Sequence, residues 1–286
     1  MNKKPEWLRI PFAENPNRKL VEEILKKLNL NTVCHEANCP NYIECFSCKT
    51  ATFMILGTNC TRDCRFCNVS NGPPQPVDPH EPEMIAQAVK ELGLEYAVIT
   101  SVTRDDLNDG GAEHFARVIR AIKKTSPTAA VEVLIPDLGG NVEALKIITD
   151  SLPDVISHNM ETVAPLYQQV RPQAQYQRSL DVLENIKKLN PKIRSKTGIM
   201  LGLGEAEEEV FMLFDDLRSV GCELLTIGQY LAPSKEHFPI QEYIHPDQFE
   251  QYGEAARRKG FDFVASAPFV RSSYRAGDAI RTGRKL

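Results

Sequence analysis

Thiol groups are the most unevenly distributed reactive side chains in this 286-residue chain. Seven of its eight cysteines lie between positions 34 and 67, namely Cys34, Cys39, Cys45, Cys48, Cys60, Cys64 and Cys67. A cysteine that only fills space in a core does not need other cysteines beside it, so this crowding indicates a metal or iron–sulfur site. Cys222 stands alone in the stretch GCELLTIG, and we expect it to be a small buried hydrophobic residue.

Three of these cysteines form the motif Cys60-x3-Cys64-x2-Cys67 within GTNCTRDCRFCNVS. Three thiolates on one short loop can ligate three irons of a cubane cluster and leave the fourth iron open to a small ligand. The spacing is typical of radical S-adenosylmethionine (SAM) enzymes, with an aromatic residue, here Phe66, before the last cysteine. It differs from the ferredoxin run and from a zinc ribbon, and a zinc ion would lack a fourth ligand unless His35 or another residue completed the site.

Another trio, Cys34-x4-Cys39-x5-Cys45, precedes that loop in the stretch TVCHEANCPNYIECFSC. Three closely spaced thiolates again indicate a cluster or a metal ion. The alternative is a zinc knuckle with Cys48 or His35 as its fourth ligand.

From position 51 onward, short apolar runs alternate with longer amphipathic stretches. Strands are predicted at 51–56, 96–100, 130–135, 154–159, 196–201, 223–228 and 261–267. Helices are predicted at 18–29, 82–93, 111–124, 141–150, 179–190, 205–221 and 245–260. Six or so successive β-then-α units imply a parallel sheet, because each parallel pair of strands needs a crossover connection.

We therefore predict an α/β fold, a partial (β/α)6 TIM-type barrel, with a doubly wound sheet as the alternative. The predicted regions are an N-terminal cysteine-rich extension at 1–50, the barrel at 51–267 and a C-terminal extension at 268–286. In such barrels, functional residues follow the carboxyl ends of the strands, and the loop from Cys60 to Cys67 directly follows the first predicted barrel strand.

Composition gives no sign of a nucleic-acid or membrane partner. The formal net charge is −4, and hydrophobic and charged residues make up 42% and 25% of the chain. The sequence has no apolar run long enough to span a bilayer and no secretory signal at its start, so we expect a cytoplasmic protein with reduced thiols. The end of the chain is basic, which indicates either a solvated tail or a surface that steers an acidic partner; its cations are Arg271, Arg275, Arg281, Arg284 and Lys285.

Over nearly its whole length the chain resembles the lipoyl synthase family. The similarity is carried by both cysteine trios and by the stretches AVITSVTRDDLNDGGAEHFA, EVLIPDLGG, HNMETVAPLYQQVRPQAQYQRSL, SKTGIMLGLGE and RSSYRAG. In that family a serine of the RSSY motif is the fourth ligand of an auxiliary cluster bound by the first trio. The motif maps onto Ser272 and Ser273, and we expect Ser273 to be the ligand and to act in catalysis. Two features depart from the family pattern: Cys48 is an extra cysteine, and Met200 replaces the isoleucine common in GxIxGxxE.

The resemblance also implies where SAM binds. Its methionyl amine and carboxylate chelate the open iron held by Cys60, Cys64 and Cys67. Ser101 and Thr103 are expected beside the methionyl group, and Asn159 and Glu161 at the ribose. We expect further cofactor contacts at Phe66 and at the glycines 198, 202 and 204.

Four charged residues near these positions have more than one interpretation. Asp105 and Asp106 can line the site or cap a helix. Arg171 and Lys196 can neutralise charge near the site or lie in solvent.

The activity implied is radical sulfur insertion. Lipoyl synthases cleave SAM reductively to methionine and a 5′-deoxyadenosyl radical, which abstracts hydrogen from carbons 6 and 8 of an octanoyl chain. Sulfur from the auxiliary 4Fe–4S cluster is inserted at each carbon. The expected partners are an octanoylated lipoyl carrier protein or lipoyl domain and an electron donor such as a flavodoxin or ferredoxin. The alternatives are a biotin synthase or methylthiotransferase type of sulfur inserter, or a metal-binding module without catalysis.

Overall fold

The computed structural model describes residues 4–9, 16–47, 51–274 and 276–279. Cys48 lies outside the described residues, as do four cations of the basic tail, Arg275, Arg281, Arg284 and Lys285. The role of Cys48 therefore stays a prediction from sequence.

The core of the fold is one eight-stranded sheet in which the strands follow chain order. The first two strands are antiparallel, and every later pair of neighbours is parallel. The strands are β1 (Asn31–Thr32), β2 (Thr52–Ile55), β3 (Tyr96–Ser101), β4 (Ala130–Leu134), β5 (Val155–Ser157), β6 (Arg194–Leu201), β7 (Leu224–Gln229) and β8 (Phe263–Ser266).

Ten α-helices are described, and seven of them match the amphipathic stretches predicted from sequence. They are α1 (Pro16–Lys27), α2 (Val33–Glu36), α3 (Tyr42–Ser47), α4 (Glu81–Leu92), α5 (Ala112–Thr125), α6 (Val142–Asp150), α7 (Tyr167–Val170), α8 (Tyr176–Leu189), α9 (Glu207–Ser219) and α10 (Pro246–Arg258). Short 3-10 helices span Glu6–Leu8, Leu138–Gly140 and Ala164–Leu166. None of the described helices is both long and apolar enough to cross a bilayer.

The β-then-α rhythm of the sequence produces this architecture. Strands such as β2 and β7 are buried along their whole length, because helices cover the sheet. Helix α4 ends at Gly93, whose left-handed backbone (φ 64°) lets its N–H bond the last turn. Six β/α units run from β2 to α10, and β8 follows as a seventh parallel strand. The prediction of a partial (β/α)6 barrel is confirmed, and the doubly wound alternative is wrong because the strand order is sequential.

The segment after β8 runs along the length of the barrel. It starts at the carboxyl ends of the strands, where Gln229 N donates to Pro268 O at 3.1 Å. It ends near their amino ends, where Arg194 Nη1 donates to Ala279 O at 2.8 Å. A Cβ atom on Gly228 would lie 2.0 Å from Val270 O, so only glycine on β7 allows this close approach.

Candidate functional site

A left-handed turn leads the chain out of β2 and into the cysteine loop. Leu56 has φ 69° and Gly57 has φ 94°. The Leu56 peptide is held on both sides, since its N–H donates to Glu81 Oε2 at 3.0 Å and its carbonyl accepts from Arg104 Nη1 at 3.1 Å. A positive φ is costly for leucine. These two contacts offset that cost and stabilise the turn that follows β2.

The first cysteine of the loop is fixed against the segment after β3. Thr61 N donates to Thr103 O at 3.0 Å, and Thr103 N points at Cys60 Sγ at 3.3 Å. The predicted cofactor residue Thr103 therefore holds the cysteine loop through its backbone.

Arg62, between the first two cysteines of the motif, is the centre of an ion-pair network in which Arg62 and Asp137 are buried and Asp105 is exposed. Its Nε and Nη2 donate to the two carboxylate oxygens of Asp105 at 2.7 and 2.8 Å, and Nη2 also donates to Asp137 at 2.7 Å. The side chain of Asp137 has no exposure to solvent and lies 3.3 Å from Arg178 Nη1 as well. Although burial opposes it, the hydrogen bond from Arg62 lowers the pKa of Asp137 to about 2. The network ties the loop to the segments after β3 and β4.

Two further segments hold the far end of the loop. Arg65 N donates to Val170 O at 3.0 Å, and Arg65 O accepts from Phe238 N at 2.8 Å. His237 Nε2 lies 3.1 Å from Cys67 O. The cysteine loop is thus anchored to the loops that follow β3, β4, β5 and β7.

The three cysteines of this loop are partly buried. Burial raises the pKa of Cys64, while the Arg171 guanidinium acts in the opposite direction. Burial also raises the pKa of Cys67, to about 12. Without a metal the thiols of Cys64 and Cys67 are protonated at neutral pH, so binding iron requires these two to release protons.

Among the residues that the structure describes, five side-chain polar atoms at or after the ends of β3 and β5 are buried and lack a hydrogen-bond partner, although such groups are normally paired. They are Ser101 Oγ, Ser157 Oγ, Asn159 Oδ1, Thr162 Oγ1 and Arg171 Nε. The unpaired oxygens and N–H suit a bound polar molecule with both donors and acceptors, and SAM has both.

Asn159, Glu161 and Arg171 form the charged part of this interior. Asn159 Nδ2 donates to Glu161 Oε1 at 2.9 Å, and Arg171 Nη1 donates to Asn159 O at 2.8 Å. Burial raises the pKa of Glu161, and the nearby Arg171 acts against that change. Arg171 is 8% exposed, so its predicted role near the site fits its position better than the surface alternative.

The glycines of the GxIxGxxE motif meet other parts of this chain. A Cβ on Gly198 would lie within 2.9 Å of Thr226 Oγ1, Asn159 Oδ1 and Ser272 Oγ. A Cβ on Gly202 would lie 2.3 Å from Gln229 Nε2 and 2.3 Å from Glu242 O, so protein packing requires the glycine there. The motif glutamate closes the turn, because the Glu205 carboxylate accepts from Gly202 N at 2.6 Å and Leu203 N at 2.9 Å.

Phe66 lies against a small apolar cluster at the rim of the barrel. The cluster is formed by Val170, Leu203, Tyr230 and Phe238, with Met200 and Phe66 packed on it. The motif methionine therefore serves as apolar surface next to Phe66, as an isoleucine could.

Three charged candidates have structural partners. Lys196 Nζ lies 2.8 Å from Glu132 Oε1, and both side chains are 1% exposed, so Lys196 forms a buried ion pair within the barrel rather than a solvated surface charge. Asp105 pairs with Arg62, and Asp106 pairs with Arg104 at 2.8 Å. The interpretation of the two aspartates as helix caps is not borne out by these contacts.

The first cysteine trio lies around a cavity between the N-terminal extension and the barrel. Helix α2 presents Cys34 and helix α3 presents Cys45, with Cys39 in the turn between them. The cavity is lined by Cys34, Cys39, Asn41, Cys45, Ala51, Thr52, Arg271, Ser273 and Tyr274. Three thiols and one hydroxyl facing a common space fit the three-cysteine, one-serine ligand set of a cubane cluster.

Neighbouring serines of the C-terminal segment face different places. Ser273 Oγ accepts from Thr52 Oγ1 at 2.8 Å beside the first trio. Ser272 Oγ accepts from Asn159 Nδ2 at 2.7 Å in the barrel interior. The expectation that Ser273 rather than Ser272 faces the trio agrees with this geometry. Burial lowers the pKa of Arg271, and negative charge at Cys39 and Glu161 acts against that change, so Arg271 is close to both places.

His35, the alternative zinc ligand, belongs to an aromatic cluster. Its ring lies 5.9 Å from that of Tyr42 and 5.3 Å from that of Phe46, and it does not line the cavity. Among the described ranges of the chain, no three His, Cys, Asp or Glu side chains come together closely enough to hold a single metal ion. Ligands of a cubane lie on separate irons and do not need to meet in that way.

The sequence interpretation missed several residues of the site. Ser157 and Thr162 flank Asn159 and carry unpaired buried oxygens, and Arg62 holds the cysteine loop. A polar run at the end of a predicted strand was a usable signal for Ser157. No local signal distinguishes Arg62 from an exposed arginine, since its partners are 43 and 75 residues away. Cys222 is fully buried in the core, as predicted.

Comparisons with known proteins agree with this geometry. The model of the radical SAM superfamily matches residues 54–217. A lipoyl synthase of Alkaliphilus metalliredigens is 58% identical over 286 residues, covering 100% of this chain and 99% of that protein. A lipoyl synthase of Caldicellulosiruptor saccharolyticus is 57% identical and covers 98% of each chain. Among solved structures, a methylornithine synthase has the same fold, with a TM-score of 0.56 at 11% identity over 88% of this chain and 83% of that one.

Proposed function

Because this chain belongs to the lipoyl synthase family of radical SAM enzymes, we propose a separate role for each of its two cysteine trios. The enzyme inserts two sulfur atoms into a protein-bound octanoyl-lysine and uses two 4Fe–4S clusters and SAM. We assign Cys60, Cys64 and Cys67 to the cluster that binds SAM. The other cluster, which donates sulfur, is assigned to Cys34, Cys39, Cys45 and Ser273.

The observation that carries the second assignment is the cavity shared by the first trio and Ser273. Ser273 is 221 residues from Thr52, yet their hydroxyls are 2.8 Å apart beside Cys34. A hydroxyl oxygen is a harder and weaker ligand for iron than a thiolate, which suits a cluster that must come apart. Arg271 offers positive charge at the same cavity.

For SAM, we propose that the unpaired buried groups of the barrel are the binding contacts. Arg171 Nε and Ser101 Oγ suit the methionyl carboxylate and amine, since one can donate and the other can accept. Asn159 Oδ1 suits a ribose hydroxyl, with Glu161 as its neighbour. Phe66 and Met200 offer apolar surface for adenine, and the backbone at Gly202, whose Cβ direction is filled by Gln229 and Glu242, is the further contact we propose for the cofactor.

When bound, the clusters and SAM supply a 5′-deoxyadenosyl radical and the sulfur for the product. The residues of the chain would hold the cofactors in place and limit the access of water to them. The anchored cysteine loop would hold the cluster that binds SAM, and the apolar rim at Phe66 and Phe238 would limit access of water to it. Through Ser272 and Ser273 the same segment contacts Asn159 in the barrel and the cavity of the first trio, so an octanoyl chain at this segment would lie near the residues that would hold SAM and the auxiliary cluster.

The substrate is a lipoyl carrier, as in the family. We propose an octanoylated carrier protein or lipoyl domain as the form recognised, and a flavodoxin or ferredoxin as the electron donor. We also propose that the reaction takes place in the cytoplasm, where thiols remain reduced until clusters are built. The division into an extension at 1–50, a barrel at 51–267 and a C-terminal extension at 268–286 is part of the same proposal.

The test is anaerobic reconstitution of the wild-type chain and of Cys39→Ala, followed by assay with an octanoylated carrier peptide. We expect about eight irons per chain in the wild type and about four in the variant. At saturating SAM the variant should still form 5′-deoxyadenosine. The peptide should no longer gain the mass of two sulfur atoms.

A matched control is Cys222→Ala, which removes a buried cysteine whose thiol contacts Ser195 O and Leu224 O, near the amino ends of β6 and β7. It should keep about eight irons and both products. Full sulfur insertion by Cys39→Ala would overturn the assignment of the first trio.

A further inference from the structure

The two sites are joined by adjacent residues of the C-terminal segment. Ser273 Oγ lies at the cavity of the first trio, 2.8 Å from Thr52 Oγ1. Ser272 Oγ lies in the barrel, 2.7 Å from Asn159 Nδ2. The turn between them is fixed by a bond from Tyr274 N to Arg271 O at 3.0 Å, so one serine cannot move far without the other.

Ser272 determines how Asn159 is oriented. The amide nitrogen of Asn159 has two acceptors, Glu161 Oε1 at 2.9 Å and Ser272 Oγ at 2.7 Å. With both donors used, the amide oxygen is left buried and without a partner in the interior of the barrel. That oxygen is the acceptor proposed above for SAM, and its direction depends on Ser272.

The contact also has little room to adjust. A Cβ atom on Gly198 would lie 2.9 Å from Ser272 Oγ and 2.9 Å from Asn159 Oδ1. Because Gly198 on β6 has no side chain, the side chains of Ser272 and Asn159 can contact each other beside it. A displacement of Ser272 by about 1 Å would break its hydrogen bond, because such bonds weaken steeply beyond their usual length.

We propose that Ser272 is a positioning residue that makes the affinity for SAM depend on whether Ser273 is held at the first trio. This inference rests on the proposed function, in which Ser273 is a ligand there. While the auxiliary site is filled, Ser273 is held, Ser272 stays on Asn159 and SAM binds tightly. When that site is emptied, the segment relaxes, Asn159 turns and SAM binds more weakly. A chain whose auxiliary cluster has given up its sulfur would therefore bind SAM less tightly, and less SAM would be cleaved without sulfur insertion.

The test is a double-mutant cycle on SAM affinity, measured anaerobically by equilibrium binding to protein that retains the cluster at Cys60, Cys64 and Cys67. We expect Ser272→Ala and Cys39→Ala each to weaken SAM binding by about tenfold, and the double variant to be no weaker than either single one. At saturating SAM, Ser272→Ala should form 5′-deoxyadenosine within about twofold of the wild-type rate, a change in KM without a change in kcat.

Ser219→Ala is the matched control, because Ser219 is an exposed serine whose hydroxyl donates to Asp216 O at 2.7 Å within its own helix. It should leave SAM affinity unchanged. Circular dichroism and an iron count of about four or more verify that each variant is folded and loaded.

Two results would overturn the inference: unchanged SAM affinity in Ser272→Ala, or losses that add up in the double variant. If Cys39→Ala instead retains about eight irons, the ligand assignment has failed separately, and the Ser272→Ala measurement still decides the positioning role.

Discussion

The two cysteine trios lie within one short part of the chain but are held in different ways. The loop from Cys60 to Cys67 is anchored to segments after four strands and has a buried ion pair between Arg62 and Asp137. The first trio lies on two helices of four and six residues and on the turn that joins them, and its fourth side chain, Ser273, comes from near the far end of the chain. The difference matches the proposed roles, since one site must survive each turnover and the other must give up its contents.

The contacts around the first trio are also of a weaker kind. Two of them are neutral hydrogen bonds, from Asn41 Nδ2 to Phe269 O at 2.6 Å and from Thr52 to Ser273, and a third, from the Tyr274 hydroxyl to the Glu44 carboxylate at 2.9 Å, is exposed to solvent. Neutral hydrogen bonds contribute about 1 kcal/mol each, whereas breaking a buried charge pair costs about 3 kcal/mol or more. Local opening is therefore expected first in the N-terminal extension.

The largest expected effect separates the trios by activity. Cys64→Ala should lower formation of 5′-deoxyadenosine by at least about a thousandfold, because it removes a ligand of the SAM-binding cluster. Cys45→Ala, which removes one thiol of the first trio, should keep that product and lose sulfur insertion. Anaerobic chromatography of 5′-deoxyadenosine with dithionite as reductant measures both. If Cys64→Ala still formed 5′-deoxyadenosine at the wild-type rate, the proposed difference between the two trios would be wrong.

A second prediction concerns the hardness of the fourth ligand. Ser273→Cys replaces a hydroxyl with a thiolate, which binds iron more firmly. We expect the auxiliary cluster to persist, SAM cleavage to continue and sulfur insertion to fall by about a hundredfold or more. Mass analysis of an octanoylated peptide and an iron count after turnover give the answer. If lipoyl product forms at the wild-type rate, the oxygen ligand has no part in releasing sulfur.

The third prediction tests the anchoring of the cysteine loop from Cys60 to Cys67. Arg62→Gln leaves Asp137, whose side chain is fully buried, without its main counter-charge, and should lower the free energy of unfolding by about 3 kcal/mol. Urea denaturation measures this loss. Arg120→Gln breaks an ion pair whose two side chains are 55% and 56% exposed, and should cost less than about 0.5 kcal/mol.

The matching change near the first trio is Asn41→Ala, which removes the hydrogen bond to Phe269 O. It should lower the free energy of unfolding by about 1 kcal/mol. A loss in Arg62→Gln no larger than that in Asn41→Ala would contradict the ranking of the two regions.

The last prediction is a dependence of stability on pH that arises at His158 in the barrel. Burial lowers the pKa of His158, next to Asn159, to about 4, and its ring lies 2.9 Å from Ile135 O and 3.0 Å from Ser179 Oγ. The unfolded chain binds a proton at this histidine near pH 6.5, while the folded chain does not until about pH 4, so stability falls as the pH drops through that window.

We expect His158 to account for roughly 2–3 kcal/mol of lost stability between pH 7.5 and pH 4.5. Urea midpoints of the wild type and of His158→Gln at the two pH values give the comparison, and the variant should show the smaller decrease. Equal decreases in both proteins would assign the acid sensitivity to other groups.

Local patterns were sufficient for most of the fold. Runs of β-branched and apolar residues predicted the seven parallel strands, and amphipathic periodicity predicted the seven longer helices. Helices α2, α3 and α7 were not predicted, because four to six residues carry too little periodicity and their stability comes from packing. The two-residue strand β1 exists only because it pairs with β2.

What the sequence by itself determined is the chemistry: two thiol trios, one of them with the spacing of a radical SAM loop, placed directly after a predicted strand. Spacing within a few residues restricts which thiols can share one cluster, so this information is local. Only the tertiary structure decided that Ser273 faces the trio while Ser272 faces Asn159. It also decided that Lys196 pairs with Glu132 rather than with solvent. These outcomes depend on contacts between residues 64 to 221 positions apart, and no local pattern records which way such side chains turn once the barrel has closed around them.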